Sequence, residues 1–234
     1  LQSFMDTNDQ QVCILYGPRQ AGKTTLLKQL YTDMARGWKK SYFSFDEDIV
    51  PRQFADLDEF LSYMLLKYWF EPHEQHLLCL NETHYSRQLE EILHEYVQLP
   101  DVRAKIVATG IVRPSTLVDP KVCFLPVFPL SFHEFLEYKE IRIEHITVET
   151  TSKLLLKELQ KVYDEYLLRG GYPRVITAEH QEEKLAALKV IMQSVYEKDI
   201  WFFFNGHDIL QFEPMLHLAY HATKSVYKVS TLAK

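Results

Sequence analysis

Apolar residues bunch into short runs along the 234-residue chain, at 12–16 (VCILY), 41–45 (SYFSF), 77–80 (LLCL), 105–109 (KIVAT) and 121–127 (KVCFLPV). Apolar runs of this length, bounded by polar or helical segments, predict buried parallel strands. Between them the spacing predicts helices over 23–35, 56–69 (DLDEFLSYMLLKYW) and 86–98 (SRQLEEILHEYVQ). Strand and helix therefore alternate, the order that builds an open α/β sheet flanked by helices. Near residue 130 the pattern changes. In PLSFHEFLEY, Ser131 is placed to cap a helix, with Glu134 three positions on to complete a capping box. Beyond it, Leu155, Leu159, Val162, Tyr163, Tyr166 and Leu167 form one apolar helical face that Gly170 and Gly171 terminate. Further helices are predicted at 181–198 and 209–222, and VSTLAK reads as a capped helix starting at Ser230 and continuing into a domain beyond Lys234. By the same reasoning, a chain that opens on Leu1 is expected to have its natural start upstream.

Composition narrows the class. At 47% hydrophobic the chain can bury one large core, or one core and a smaller helical lobe. A net charge of −6 disfavours nucleic acid as a partner unless a local basic patch exists, and none stands out. Cys13, Cys79 and Cys123 all fall inside apolar runs, which suggests buried thiols in a reducing compartment, the cytoplasm, rather than a disulfide framework. No apolar stretch reaches the roughly 18 residues that span a bilayer, so no membrane role is expected.

One motif carries strong chemistry. GPRQAGKT, residues 17–24, matches G-x-x-x-x-G-K-[ST] between a predicted strand and a predicted helix. Gly17 and Gly22 let the backbone turn tightly, so that Pro18, Arg19, Gln20 and Ala21 can wrap a phosphate with the helix N-terminus behind it. In that reading Lys23 bridges the β- and γ-phosphates of ATP, Thr24 holds Mg²⁺, and Thr25 reaches the α-phosphate. A hydrolysing protein of this plan also needs acids at the end of a second strand. LLCLNE supplies Asn81 where an Asp is expected, so the metal-facing position lacks its charge, although the amide could accept from a metal-bound water. Glu82 remains to orient or deprotonate the attacking water. Slow hydrolysis is the expectation.

Taken in order, GPRQAGKTTLLKQL, LLCLNE, IVATG, PVFPLSFHEFLEY and YLLRGGYP resemble the prokaryotic AAA-type P-loop ATPases often described only as ATP-binding proteins. The likeness covers nearly all of 10–234, and PLSFHEF with GGYP is far more specific than the loop alone. It implies a P-loop ATPase domain over 1–140, a helical lid over 141–223 and the start of a winged helix over 224–234, followed by a C-terminal domain of unknown function. The resemblance places Thr109 where a polar sensor meets the γ-phosphate, and Pro173 beside the adenine. Arg113, the nearest cation in the loop after the fourth strand, is a candidate sensor or finger to a neighbouring subunit. The chain departs from the pattern at Asn81 and at Ile111 and Val112, where the family tends to have serines, and its segment 111–124 is short for the family's sensor loop. These departures bear on catalysis and leave nucleotide binding untouched.

Three functions compete at this stage. The leading one is an ATP-driven conformational switch that signals to its own C-terminal domains, to a protein partner or to further copies of itself. The second is a nucleotide-binding regulator with negligible turnover. The third, a P-loop small-molecule kinase, fits less well because 130–230 reads as packing helices rather than an acceptor pocket. A winged helix would admit DNA, but the acidic balance does not favour it. His217 and His221 lack a third ligand, Glu91 and His94 read as a chance ExxH, and the aromatic run at 201–204 reads as packing.

Overall fold

The computed structural model describes residues 1–7, 9–34, 37–46, 53–86, 88–141 and 153–200. Its first element is a short helix, α1 (Gln2–Asp6), followed by β1 (Val12–Tyr16), α2 (Lys23–Gln29), β2 (Lys39–Ser44), α3 (Leu57–Tyr68), β3 (His76–Asn81), α4 (Leu89–Tyr96), β4 (Lys105–Gly110) and β5 (Val122–Pro126). The five strands form one parallel sheet in the order β2-β3-β4-β1-β5. This is the α/β sheet of a P-loop NTPase, with helices on both faces.

Alternation along each strand builds two cores, one on each face of the sheet. Val12, Ile14, Leu78, Leu80, Ile106 and Ala108 point to the side where α3 and α4 deliver Phe60, Met64, Leu89 and Ile92. Cys13, Leu15, Leu77, Cys79 and Val107 point to the other, where they meet Phe4 of α1 and Leu27 of α2. All six residues of β3 and all six of β4 are buried. This explains why their sequence is nearly continuously apolar. Helix α1 was not legible as an element. It is held by Lys105, whose ammonium donates to the carbonyls of Phe4 and Thr7 at the end of the short helix, the position where a cation satisfies orphaned acceptors. Burial pushes the Lys105 amine below its usual range.

The helix expected over 23–35 is regular only to Gln29 and widens into π-type turns over Leu30–Met34. The one expected from 86 starts at Leu89, because Glu82 takes a left-handed conformation and Thr83–Tyr85 make a tight 3₁₀ turn first. After the sheet, α5 (Phe132–Tyr138) opens with the Ser131–Glu134 capping box. Helix α6 (Lys153–Arg169) then packs Tyr163 and Tyr166 on Phe132, with ring centroids 5.0 and 5.4 Å apart. Leu167, expected on the same face, is 62% exposed instead. Tyr166 also packs on Phe135 of α5, with ring centroids 5.5 Å apart.

The glycine pair ends α6 and does more. A Cβ on Gly171 would lie 1.9 Å from the Leu130 carbonyl oxygen. Leu130 donates to the Gly171 carbonyl at 2.7 Å, and Tyr166 donates its hydroxyl to the Leu130 carbonyl at 2.8 Å. PLSFHEF and GGYP are thus two sides of one backbone contact. Helix α7 (Pro173–Ile176) follows and buries Val175 and Ile176.

The chain divides into two compact units at Ile176–Thr177. In the second unit α8 (Gln181–Ser194) continues as π-type turns to Ile200. The predicted helix at 209–222, the aromatic run at 201–204, His217, His221 and the VSTLAK segment lie outside the described residues.

Candidate nucleotide site

Strand β1 lies between β4 and β5, so the chain leaves it in one direction to β2 and later crosses back over it to β5. Ligands of open α/β sheets bind at such a reversal, beyond the carboxyl ends of the strands. The loop 17–22 sits there. Gly17 has φ +152° and Gly22, the residue before α2, has φ +106°. A Cβ on Gly17 would lie 2.0 Å from the Val127 carbonyl oxygen. The segment after β5 comes that close because Val127 donates to the Tyr16 carbonyl at 2.8 Å. Gln20 also adopts a left-handed φ of +59°, which the sequence did not announce. Recurrent positive φ of this kind turns backbone N–H groups toward a common centre and makes an anion nest.

Lys23 begins α2 and is only 4% exposed. Its ammonium donates to the carbonyls of Gly17 and Pro18, at 2.7 Å each. A buried cation clasped to the loop it serves fits a polyphosphate. Pro18 and Gln20 are half-buried, Arg19 and Ala21 are buried, and Thr25 faces outward on α2.

At the adjoining strand ends a polar network joins three predicted positions. Asn81, buried at the end of β3, accepts at its single Oδ1 from both Thr24 and Thr109, at 2.9 Å each. Its Nδ2 donates to the Ser44 hydroxyl at 2.9 Å, and Ser44 donates in turn to Asp46 at 2.5 Å. The two hydroxyls use both lone pairs of the amide oxygen, so the expected acceptance from a metal-bound water is not the arrangement here. Thr109 is fully buried, and its hydroxyl also accepts the Glu82 backbone N–H at 2.9 Å. It therefore holds Asn81 and Glu82 in place. Mg²⁺ fits at Thr24, because a hydroxyl that donates its hydrogen to Asn81 keeps its lone pairs for a cation.

The Glu82 carboxylate lies 3.6 Å from Arg19 and 3.3 Å from the His84 Nδ1. Arg19 donates to the Tyr85 hydroxyl at 2.9 Å and sits 3.1 Å from the His84 Nε2. Burial, reinforced by the charges of Arg19 and Lys23, pushes the His84 imidazole down to about 3. It is neutral at any ordinary pH.

The other two predicted positions are placed by other elements. Arg113 is exposed, with its guanidinium 4.6 Å above the Phe124 ring on β5. Pro173 opens α7, in the turn that meets Leu130. Ser44, Asp46, His84 and Tyr85 are the residues that sequence reading missed. Their part depends on β2 lying beside β3 and on the turn after Glu82, and neither leaves a motif. A separate cavity of about 490 Å³, bordered by Gln10, Gln11, Trp38, Gln75, Arg103 and Lys105, opens at the amino ends of the strands, the opposite edge from the loop.

A family model described as an AAA domain matches residues 9–136, more than half of the chain, with the loop and the Asn81–Glu82 strand end inside it. The chain belongs to the AAA domain family. This AAA domain is accordingly a nucleotide-binding, ATPase-type P-loop protein. A second model, a domain of unknown function, matches residues 160–234. An uncharacterized protein of Methanocaldococcus jannaschii is 27% identical over 171 residues, covering 70% of this chain and 36% of that relative. The AAA domain and the residues after it thus span about a third of the archaeal protein's length. Among solved structures, a signal-transduction ATPase with a tetratricopeptide repeat sensor from Pyrococcus horikoshii aligns at TM-score 0.42 and 14% identity, over 81% of this chain and 30% of that one. AMPPCP-bound DnaA from Aquifex aeolicus aligns at 0.39 and 12%, over 96% of this chain and 86% of its own.

Proposed function

We propose that this AAA domain binds ATP with Mg²⁺ at residues 17–25 and hydrolyses it slowly. Its nucleotide state then moves the helical segments that follow the sheet and signals to regions outside this chain. The observation that carries the reading is the buried Lys23 ammonium on its own loop, one residue before a Thr24 that is tied to Asn81. Bound Mg²⁺ would supply positive charge at the terminal phosphates. Lys23 contacts the β- and γ-phosphates, and the Glu82 carboxylate takes the proton of the attacking water. Hydrolysis is slow for two reasons. Asn81 satisfies Thr24 without contributing a charge, and the Glu82 carboxylate lies 3.6 Å from the Arg19 guanidinium, which competes with an attacking water for it.

Within this reading the helical lid spans 141–223, a winged helix begins at 224, Pro173 couples the lid to the adenine, and Arg113 serves a neighbouring copy if the protein assembles. Partners beyond nucleotide are the protein's own further domains or another protein. DNA is disfavoured by the net charge of −6.

The same two features favour a second reading, a regulator that binds ATP and turns over negligibly. Calorimetric titration and a phosphate-release assay on the full-length protein beside Lys23→Ala separate the two. Binding with slow release in the wild type, and loss of binding in the variant, is expected. Tight binding without release selects the regulator. No binding by the wild type overturns both readings.

A further inference from the structure

Cys13 and Cys123 stand opposite each other on the neighbouring parallel strands β1 and β5. Both side chains face the same way, toward the core that α1 and α2 cover. Paired positions of adjacent strands lie about 4.8 Å apart, inside the span of about 4.4–6.8 Å that separates the Cα atoms of a disulfide. The Cβ atoms have to close by only about 1 Å. Strand β5 can supply that movement, because it ends the sheet and among the described residues is paired on one side only. Cys79 is out of reach. It pairs with Val107 of β4, which in turn pairs with Cys13, so two strand spacings, about 10 Å, lie between the two cysteines.

The thiols also differ in character. Cys13 is buried and Cys123 half-buried, so a small oxidant meets Cys123 first. The hydrogen bond that Cys13 donates to Cys123 holds the Cys123 thiol below the usual cysteine range, and the Lys105 charge acts in the same direction. The same bond, with burial, keeps the proton on Cys13. Greater thiolate character and exposure select the thiol that an oxidant attacks. Burial pushes Cys79 up to about 12, which leaves it inert.

We propose that Cys13 and Cys123 form an oxidation site for hydrogen peroxide, with Cys123 the attacking thiol and Cys13 the resolving one. The Cys123 thiolate attacks one peroxide oxygen: an S–O bond forms, the O–O bond breaks, and the departing hydroxide takes up the Cys123 proton as water. Cys13 then attacks the sulfenic sulfur. The S–S bond forms, the S–O bond breaks, and hydroxide leaves with the Cys13 proton as a second water. Two thiols are oxidised and one peroxide is reduced, by two electrons. A dithiol reductant reverses the bridge. It pins β5 to β1 four residues before Gly17 on one strand and four before Val127 on the other, the two residues in contact beneath the loop. The inference is independent of the nucleotide reading.

The test treats the reduced, folded full-length protein with a small molar excess of hydrogen peroxide, then unfolds it in N-ethylmaleimide and measures the intact mass. One maleimide, on Cys79, in place of three is expected, with a mass lower by two hydrogens, a Cys13–Cys123 peptide on digestion, and three maleimides again after dithiothreitol. In Cys13→Ala, Cys123 is expected to stop at the sulfenic acid, which dimedone traps. Three free thiols after peroxide, a bridge that includes Cys79, or a dimer linked through Cys123 overturns the proposal. So does dimedone on a residue other than Cys123 in the variant. If Cys13→Ala does not fold by circular dichroism, the peptide map of the wild type decides alone.

Discussion

Asn81 is an amide where an ATPase of this plan normally has an acid, and its contacts explain why the fold accepts it. A carboxylate could take the Thr24 and Thr109 hydroxyls equally well, but it could not donate to Ser44. Asn81→Asp therefore adds a negative charge in a buried site near Glu82 and Asp46 and makes Ser44 choose between two acceptors. The expected outcome is a variant about 1–3 kcal/mol less stable without metal, part of which Mg²⁺-nucleotide restores, with faster phosphate release. Thermal melts with and without Mg²⁺-ATP check the first half and a release assay the second. A variant as stable as the wild type without metal would show that the amide's donor to Ser44 contributes nothing. This distinction was not readable from LLCLNE, because Ser44 is 37 positions away in the chain.

Among the elements, α3 ends in an unusual way. Trp69 takes φ +56° at its carboxyl end, donating to Leu65 at 2.9 Å, while Phe70 donates to Met64 at 3.2 Å. That is the closure that glycine normally provides, since a Cβ disfavours the left-handed region. The Trp69 side chain is 76% exposed, so little packing offsets the strain. Trp69→Gly should stabilise the protein by about 1 kcal/mol, roughly 2–4 °C in melting temperature for a domain of this size. A lower melting temperature by calorimetry would mean that the indole is covered by something in solution. The periodicity of 56–69 announced the helix itself, but no local pattern said that a tryptophan would close it.

At the scale of the molecule, burial of imidazoles makes stability fall toward acid. His84 and His76 are both shifted below the usual histidine range, first by desolvation, with His84 held at about 3. Between that value and the ordinary 6.5 the unfolded chain binds a proton that the fold refuses, so stability rises with pH and is lost as pH falls through this window. His84 alone contributes a slope of about 1.4 kcal/mol per pH unit there. Urea unfolding at pH 7.5, 6 and 5 should give a shallower acid decline for His84→Asn than for the wild type. Equal slopes would place the His84 proton uptake elsewhere. His76 adds to the trend from the start of β3, packed against Phe70 with ring centroids 5.1 Å apart and bonded to Ser41 at 2.8 Å.

Local sequence alone was enough for the parallel strands, the loop that holds Lys23 and Thr24, and the capped helix at Ser131. Each of these depends on neighbours within a few residues: an apolar run, two glycines five positions apart, a serine with a glutamate three further on. Tertiary structure alone decided that Asn81 answers to Thr24, Thr109 and Ser44, that Gln20 completes the nest, and that Arg19 turns to Glu82. It also decided that Gly171 must be bare because Leu130 lies against it. These contacts join residues that only the strand order and the passage of the chain from β4 past β1 to β5 bring together, and a hydrogen bond between distant residues leaves no periodicity to read.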